Sequence, residues 1–132
     1  MRITLEGLQP PCRVLPLNIA SGDQFKPEFL AITPNHSIPA IVDPDGVGNK
    51  PLTLFESDAI LIYLVEKAGR LMPLNPAPHL MCLQWLMFQM DGVGPMFGQY
   101  HHLAADAPAN LPYAIQQRSK AVAPSGSGSV CT

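Results

Sequence analysis

The chain has 132 residues, with eight Lys and Arg against ten Asp and Glu, a formal net charge of −2 and 47% hydrophobic residues. So near-neutral a balance lacks the electrostatic footprint of a nucleic-acid binder, and the apolar share suits a globular core. Fifteen prolines cut the chain into short elements and argue against long unbroken structure.

Residues 1–8 hold no apolar run long enough for a secretory signal, and nowhere do about eighteen uncharged apolar residues follow one another. The expectation is a cytoplasmic protein without a membrane partner. Cys12, Cys82 and Cys131 are odd in number and irregularly spaced, so they indicate neither a disulfide framework nor a zinc site.

In chain order, Arg2 to Leu8 read as a helical piece of about two turns, limited by Gly7, Pro10 and Pro11. Residues 13–19 form a plausible strand, confined to a sheet edge because Pro16 removes a ladder donor. Ser21-Gly22-Asp23-Gln24 is a turn, and Pro27 suits the first position of a short helix through Ile32. Thr33-Pro34-Asn35-His36-Ser37 is then a loop leading to Pro39.

Ile38-Pro39-Ala40-Ile41-Val42-Asp43 and Leu52-Thr53-Leu54-Phe55 are short apolar runs on either side of Pro44-Asp45-Gly46-Val47-Gly48-Asn49-Lys50. That gap is dense in turn residues, so the two runs predict a β-hairpin. From Asp58 to Ala68 the apolar positions fit a mostly buried helix, with Ala59, Ile60, Tyr63 and Leu64 on one face. Ser57 stands where an N-cap belongs, Asp58 and Lys67 suit the two ends of the helix dipole, and Gly69 supplies the stop.

Glu56 and Ser57 admit two readings. An acid followed by a capping serine is common in proteins that bind nothing. The same arrangement also gathers a carboxylate, a hydroxyl and free backbone N–H groups at one helix start, a point able to hold an α-amino acid. Pro39 is ordinarily trans, since about one X-Pro bond in twenty is cis in folded proteins.

Residues 70–78 carry three prolines and an Asn75-Pro76 helix start, and the composition shift marks a domain boundary. From Leu80 onward, Leu83, Leu86, Met87 and Met90 recur at helical spacing, with Trp85 and Phe88 broadening the stripe. Met81, Met87, Met90 and Met96 read as core filler rather than a soft-metal site. Gly92, Gly94 and Pro95 imply a bend, after which the helix resumes through Phe97 and Tyr100. His101 and His102 are adjacent and point to different sides, so they do not form an i, i+4 metal pair. Another helix opens at Leu111, and Pro124 with the Ser-Gly run after it predicts a disordered tail.

The run Ile38-Pro39-Ala40-Ile41-Val42-Asp43 followed by Glu56-Ser57-Asp58-Ala59-Ile60 resembles the glutathione-binding half of a glutathione transferase. Gln24-Phe25-Lys26-Pro27-Glu28-Phe29-Leu30, Gln84-Trp85-Leu86-Met87-Phe88-Gln89-Met90 and Gly92-Val93-Gly94-Pro95-Met96-Phe97-Gly98 resemble in particular its nu-class, disulfide-reductase-like branch. The likeness runs from about residue 13 to about residue 117. It implies an α/β thioredoxin-like N-terminal domain whose first strand is missing, followed by an incomplete all-α C-terminal domain; without that strand, residues 13–19 are expected to lie some distance from the hairpin or to lack a regular ladder. The expected organisation is a partial glutathione-binding domain over residues 1–72, a linker over 73–78, the start of the helical domain over 79–122 and a disordered tail over 123–132.

The resemblance also implies roles. Glu56 and Ser57 would take the ammonium and carboxylate of the γ-glutamyl end of glutathione. The backbone of Ile38, turned by a cis Pro39, would pair with the cysteinyl unit, and Gln24 would add a contact. Phe97 and Tyr100 are candidates for lining the second-substrate pocket. The family pattern often has a basic side chain at Ser37, and no residue matches the donor that activates the glutathione thiol, so the catalytic residue is unknown. The implied ligand is glutathione with no metal, the partners are a small electrophile or disulfide and, by family, a second copy of the chain. The implied reaction is glutathione conjugation or glutathione-dependent disulfide reduction. The alternative is a non-catalytic glutathione-binding or interaction module, or an inactive truncated product.

Overall fold

In the computed structural model, which describes residues 1–106 and 112–116, residues 44–50 turn the chain back on itself. Strands β1 (Ala40–Asp43) and β2 (Leu52–Phe55) then pair antiparallel, with Ala40 opposite Phe55 and Asp43 opposite Leu52. Gly46 is the tight point of the turn. Its N–H donates to the Lys50 carbonyl at 3.0 Å, and a Cβ there would fall 2.5 Å from Leu52 Cβ. Along β2, Leu52 and Leu54 are half-buried while Thr53 and Phe55 are exposed, the alternation a one-sided hairpin requires.

Helix α3 (Ser57–Ala68) covers the hairpin and also meets α1 (Arg2–Leu8). Ile60 and Val65 of α3 and Leu8 of α1 are the buried apolar residues of this region. Two details differ from the sequence reading of the inward face: Ala59 is exposed, and Asp58 is buried in its place. The helix ends as expected. Gly69 takes φ 61°, its N–H donates to the Glu66 carbonyl, and the Arg70 N–H donates to the Val65 carbonyl, each at 3.2 Å, a left-handed C-terminal cap. The Arg70 guanidinium also donates to the Gly7 carbonyl at 3.3 Å, tying the end of α3 to α1.

Residues 13–19 have the composition of an edge strand but form none, in agreement with the expectation that they lack a regular ladder. A strand persists only where a neighbouring backbone takes its N–H and C=O groups, and the described sheet consists of β1 and β2 alone. Val14 and Leu15 are exposed. Two 3₁₀ turns follow, Ile19–Ser21 and Asp23–Phe25. Helix α2 (Pro27–Leu30) starts at its proline but gives way to a turn before Ile32.

The chain divides into two compact units, Met1–Pro76 and the residues from Ala77 onward. In the second, helix α4 (Pro76–Phe88) opens on a proline, where the missing N–H costs nothing, and takes up residues 76–78 of the expected linker. A π-helical turn, Gln89–Val93, stands where the sequence predicts a bend, and helix α5 (Gly94–His101) and a second π turn, His102–Asp106, continue from it.

The apolar stripe of α4 is not core. Leu83 and Leu86 are half-buried, whereas Leu80, Met81, Trp85, Met87 and Phe88 are exposed. Periodicity creates a face, but only a facing layer buries it, and these side chains lie open among the described residues. Trp85 and Phe88 stack edge to face, 5.7 Å apart. Residues 112–116 are helical, while the rest of the helix expected from Leu111 and the expected tail lie outside the described residues. Among the described residues no helix is long and apolar enough to cross a membrane.

Candidate functional site

The site lies at the open end of the hairpin. Extending the β1–β2 register one step beyond Ala40 and Phe55 sets Pro39 opposite Glu56. The Ile38–Pro39 peptide is cis. The hydrogen-bonded ladder starts at Ala40, so the backbone N–H and C=O of Ile38 lie outside it, and the Ile38 side chain is exposed.

Glu56, not Ser57, is the N-cap of α3, and Ser57 is the first helical residue. Glu56 adopts φ 70° and ψ 115°, a conformation that non-glycine residues avoid and that is found where local function holds it in place. Its carbonyl accepts the Ile60 N–H at 3.0 Å, but no side chain caps the helix. The N–H groups of the first turn therefore stay open to an incoming acceptor. Ser57 Oγ is 3.5 Å from Asp58 Oδ1.

The Glu56 carboxylate is held from across the loop. Asn35 Nδ2 donates to Glu56 Oε1 at 3.0 Å. Asn35 Oδ1 accepts from the hydroxyl of Thr33, which is fully buried, and from the Ser37 N–H at 3.4 Å. Ser37 Oγ in turn donates to the Asn35 carbonyl at 3.2 Å, so the hydroxyl that replaces the basic side chain of the family pattern is used within the loop.

Gln24 sits in the Asp23–Phe25 turn. The turn is braced by the Asp23 carboxylate, which accepts the Asn18 N–H at 3.0 Å and pairs with Lys26 at 2.6 Å. The Lys26 hydrogen bond, first, and then the Asn18 N–H hold the Asp23 carboxyl below its ordinary value. Phe25 stacks on His36 with ring centroids 5.0 Å apart, joining this turn to the loop that carries Asn35. Among the described residues, the Gln24 side-chain oxygen is buried without a hydrogen-bond partner, as is Asp58 Oδ2. Two buried acceptors without donors are costly as they stand.

The hairpin register, the Asn35–Glu56 bond and the start of α3 thus bring Ile38, Pro39, Glu56 and Ser57 together, and the Phe25–His36 stack links the Gln24 turn to the same loop. Phe97 and Tyr100 lie exposed on α5 in the second unit. Sequence reasoning missed Asn35, Thr33 and Asp58. A Thr-Pro-Asn run favours local side-chain bonds, which was a signal for the first two. Asp58 gave none, because an acid in a first helical turn is ordinarily exposed.

The family model of the glutathione S-transferase N-terminal domain matches residues 2–67, a span that contains the hairpin and every site residue of the first unit. The chain belongs to the glutathione S-transferase family. It is 46% identical over 114 residues to the disulfide-bond oxidoreductase YfcG of Escherichia coli, covering 86% of this chain and 53% of that protein. Disulfide-bond oxidoreductase YghU of the same organism is 37% identical over 105 residues, covering 76% of this chain and 34% of YghU. Among solved structures, a glutathione transferase family member from Pseudomonas fluorescens with two glutathione molecules bound superposes with a TM-score of 0.86 at 42% identity, over 91% of this chain and 54% of that one. A glutathione transferase from Pseudomonas putida with glutathione disulfide bound gives a TM-score of 0.87 at 41% identity, over 91% and 53%. The chain spans about half the length of the first of these relatives and of both solved transferases.

Proposed function

We propose that the first unit binds glutathione, with Glu56 accepting from the γ-glutamyl ammonium, Ser57 and the open N–H groups of α3 taking its carboxylate, and the Ile38 backbone pairing with the cysteinyl unit. The observation that carries this reading is the strained, pre-positioned Glu56 beside an uncapped helix start. A residue serving only as a helix cap has no need of such a conformation. Gln24, with its buried unpartnered oxygen, is a further contact for a ligand N–H.

The reaction that fits the similarity to the disulfide-bond oxidoreductases is glutathione-dependent reduction of a small disulfide, and conjugation to an electrophile is the second reading within the family. Phe97 and Tyr100 belong to the proposal as second-substrate residues, as do a homodimer and a cytoplasmic location. The groups named here anchor the tripeptide, and none is assigned to its thiol, so binding is the primary claim.

Calorimetric titration of the full chain with glutathione tests it. Glu56→Ala removes a charge-assisted hydrogen bond and is expected to cost about 1.5 to 3 kcal/mol, roughly one to two powers of ten in affinity. Undetectable binding by folded protein would overturn the proposal and leave Glu56 and Ser57 as the start of a helix. Parallel assays against an aryl halide and a small disulfide separate the two reactions.

A further inference from the structure

We infer that Asn35 is the positioning residue of this site: it fixes the Glu56 carboxylate and couples it to the loop that presents the Ile38 backbone. The inference rests on the glutathione reading above and concerns a residue that the reading itself does not use.

The orientation of the Asn35 amide follows from its partners. The Ser37 N–H at 3.4 Å can only donate, so the atom facing it is the amide oxygen, which also receives the buried Thr33 hydroxyl. The NH₂ group therefore faces Glu56 Oε1 at 3.0 Å. With the amide reversed, its oxygen would oppose a carboxylate and its NH₂ would oppose an N–H. Thr33, buried completely, anchors the arrangement from below.

One carboxylate oxygen of Glu56 is thereby occupied, and the other is left for an ammonium. The Glu56 side chain is exposed, so without Asn35 a ligand would have to order it on binding. The same amide lies three residues before Ile38. A single side chain, bonded to a residue 21 positions away in sequence, thus links the two places where the γ-glutamyl and cysteinyl parts of the tripeptide are proposed to dock.

Calorimetric titration of the full chain with glutathione, in wild type, Asn35→Ala, Glu56→Ala and the double variant, is the test. Asn35→Ala is expected to weaken binding about tenfold and to add nothing in the Glu56→Ala background, because its effect passes through that carboxylate. Asn35→Asp keeps the shape of the side chain and guards against loss of fold. It sets two carboxylates together, and at mildly acidic pH one shared proton restores a donor toward Glu56. Its deficit relative to wild type should shrink on going from about pH 7.5 to about pH 5.5. Wild-type affinity in Asn35→Ala, an equal loss in both backgrounds, or a deficit in Asn35→Asp that ignores pH would overturn the inference while leaving glutathione binding in place. Failure of the wild type itself to bind would overturn the underlying reading and the inference together.

Discussion

The Tyr63 hydroxyl donates to Asp43 Oδ2 at 2.7 Å, and through that one oxygen the last residue of β1 is fastened to the middle of α3. Lys67 Nζ reaches the same oxygen at 2.6 Å and also donates to the Asp45 carbonyl, while lying 5.9 Å from the centroid of the Tyr63 ring. The clamp holds the hairpin at the angle that presents its other end, and hence Pro39 and Glu56, as the site.

This clamp makes stability depend on pH at both extremes. The Lys67 hydrogen bond, first, and the Tyr63 hydroxyl hold the Asp43 carboxyl below its ordinary 3.8. A depressed carboxyl stabilises the fold above its unfolded value and ceases to do so as pH falls through its folded one. The Asp43 contact raises Tyr63 above 10.0 and Lys67 above 10.5, contributions that are complete below those values and fade as pH rises through the higher folded ones. Denaturant midpoints of the wild type should therefore fall below about pH 4 and above about pH 10. Asp43→Asn should lower the midpoint at neutral pH and flatten the acid limb. An unchanged acid limb in that variant would show that Asp43 is not the group responsible.

Much of this region is legible in the sequence because it is written locally. The hairpin follows from two apolar runs around a turn-rich gap, and the end of α3 follows from Gly69. The start of α3 is displaced by one residue, since both Glu56 and Ser57 suit a helix N-terminus and only backbone angles decide between them. Residues 13–19 have strand-like composition, but a strand depends on a neighbour, so their expected lack of a ladder followed from the family likeness and not from composition. The same holds for the stripe on α4, whose burial requires a facing layer. Asn35 escaped notice because its partner is Glu56, across a loop, a helix-free stretch and the whole hairpin.

Two glycines that look alike in sequence should respond to alanine for different reasons. At Gly69 (φ 61°) a Cβ would meet nothing within 4 Å, so Gly69→Ala bears only the left-handed backbone penalty, about 1 kcal/mol. At Gly46 the new Cβ would lie 2.7 Å from the Lys50 carbonyl oxygen as well as 2.5 Å from Leu52 Cβ. Relief there requires the β2 backbone to move, and overpacking of this kind costs about 1 to 3 kcal/mol. Equilibrium unfolding should rank Gly46→Ala as the more damaging variant, with the loss of glutathione affinity confined to it. The opposite ranking would mean that the turn adapts without disturbing the hairpin.

Glu56 offers a test of whether stability has been given up for binding. Its φ of 70° costs a non-glycine residue about 1 to 3 kcal/mol. Glu56→Ala and Glu56→Gly both delete the carboxylate and the Asn35 bond, so both should lose glutathione to the same extent. They differ in the backbone. Glycine adopts the observed angles without strain, and the greater freedom it confers on the unfolded chain returns only about 0.4 to 1 kcal/mol of that relief. Glu56→Gly is therefore expected to be more stable than Glu56→Ala by about 1 kcal/mol, and to unfold within about 1 kcal/mol of the wild type despite losing the Asn35 contact. Paired denaturant titrations and glutathione titrations of the three proteins would decide it. If Glu56→Ala proves as stable as Glu56→Gly, the backbone at this position carries no strain, and the argument that the site holds Glu56 ready for a ligand loses its energetic basis.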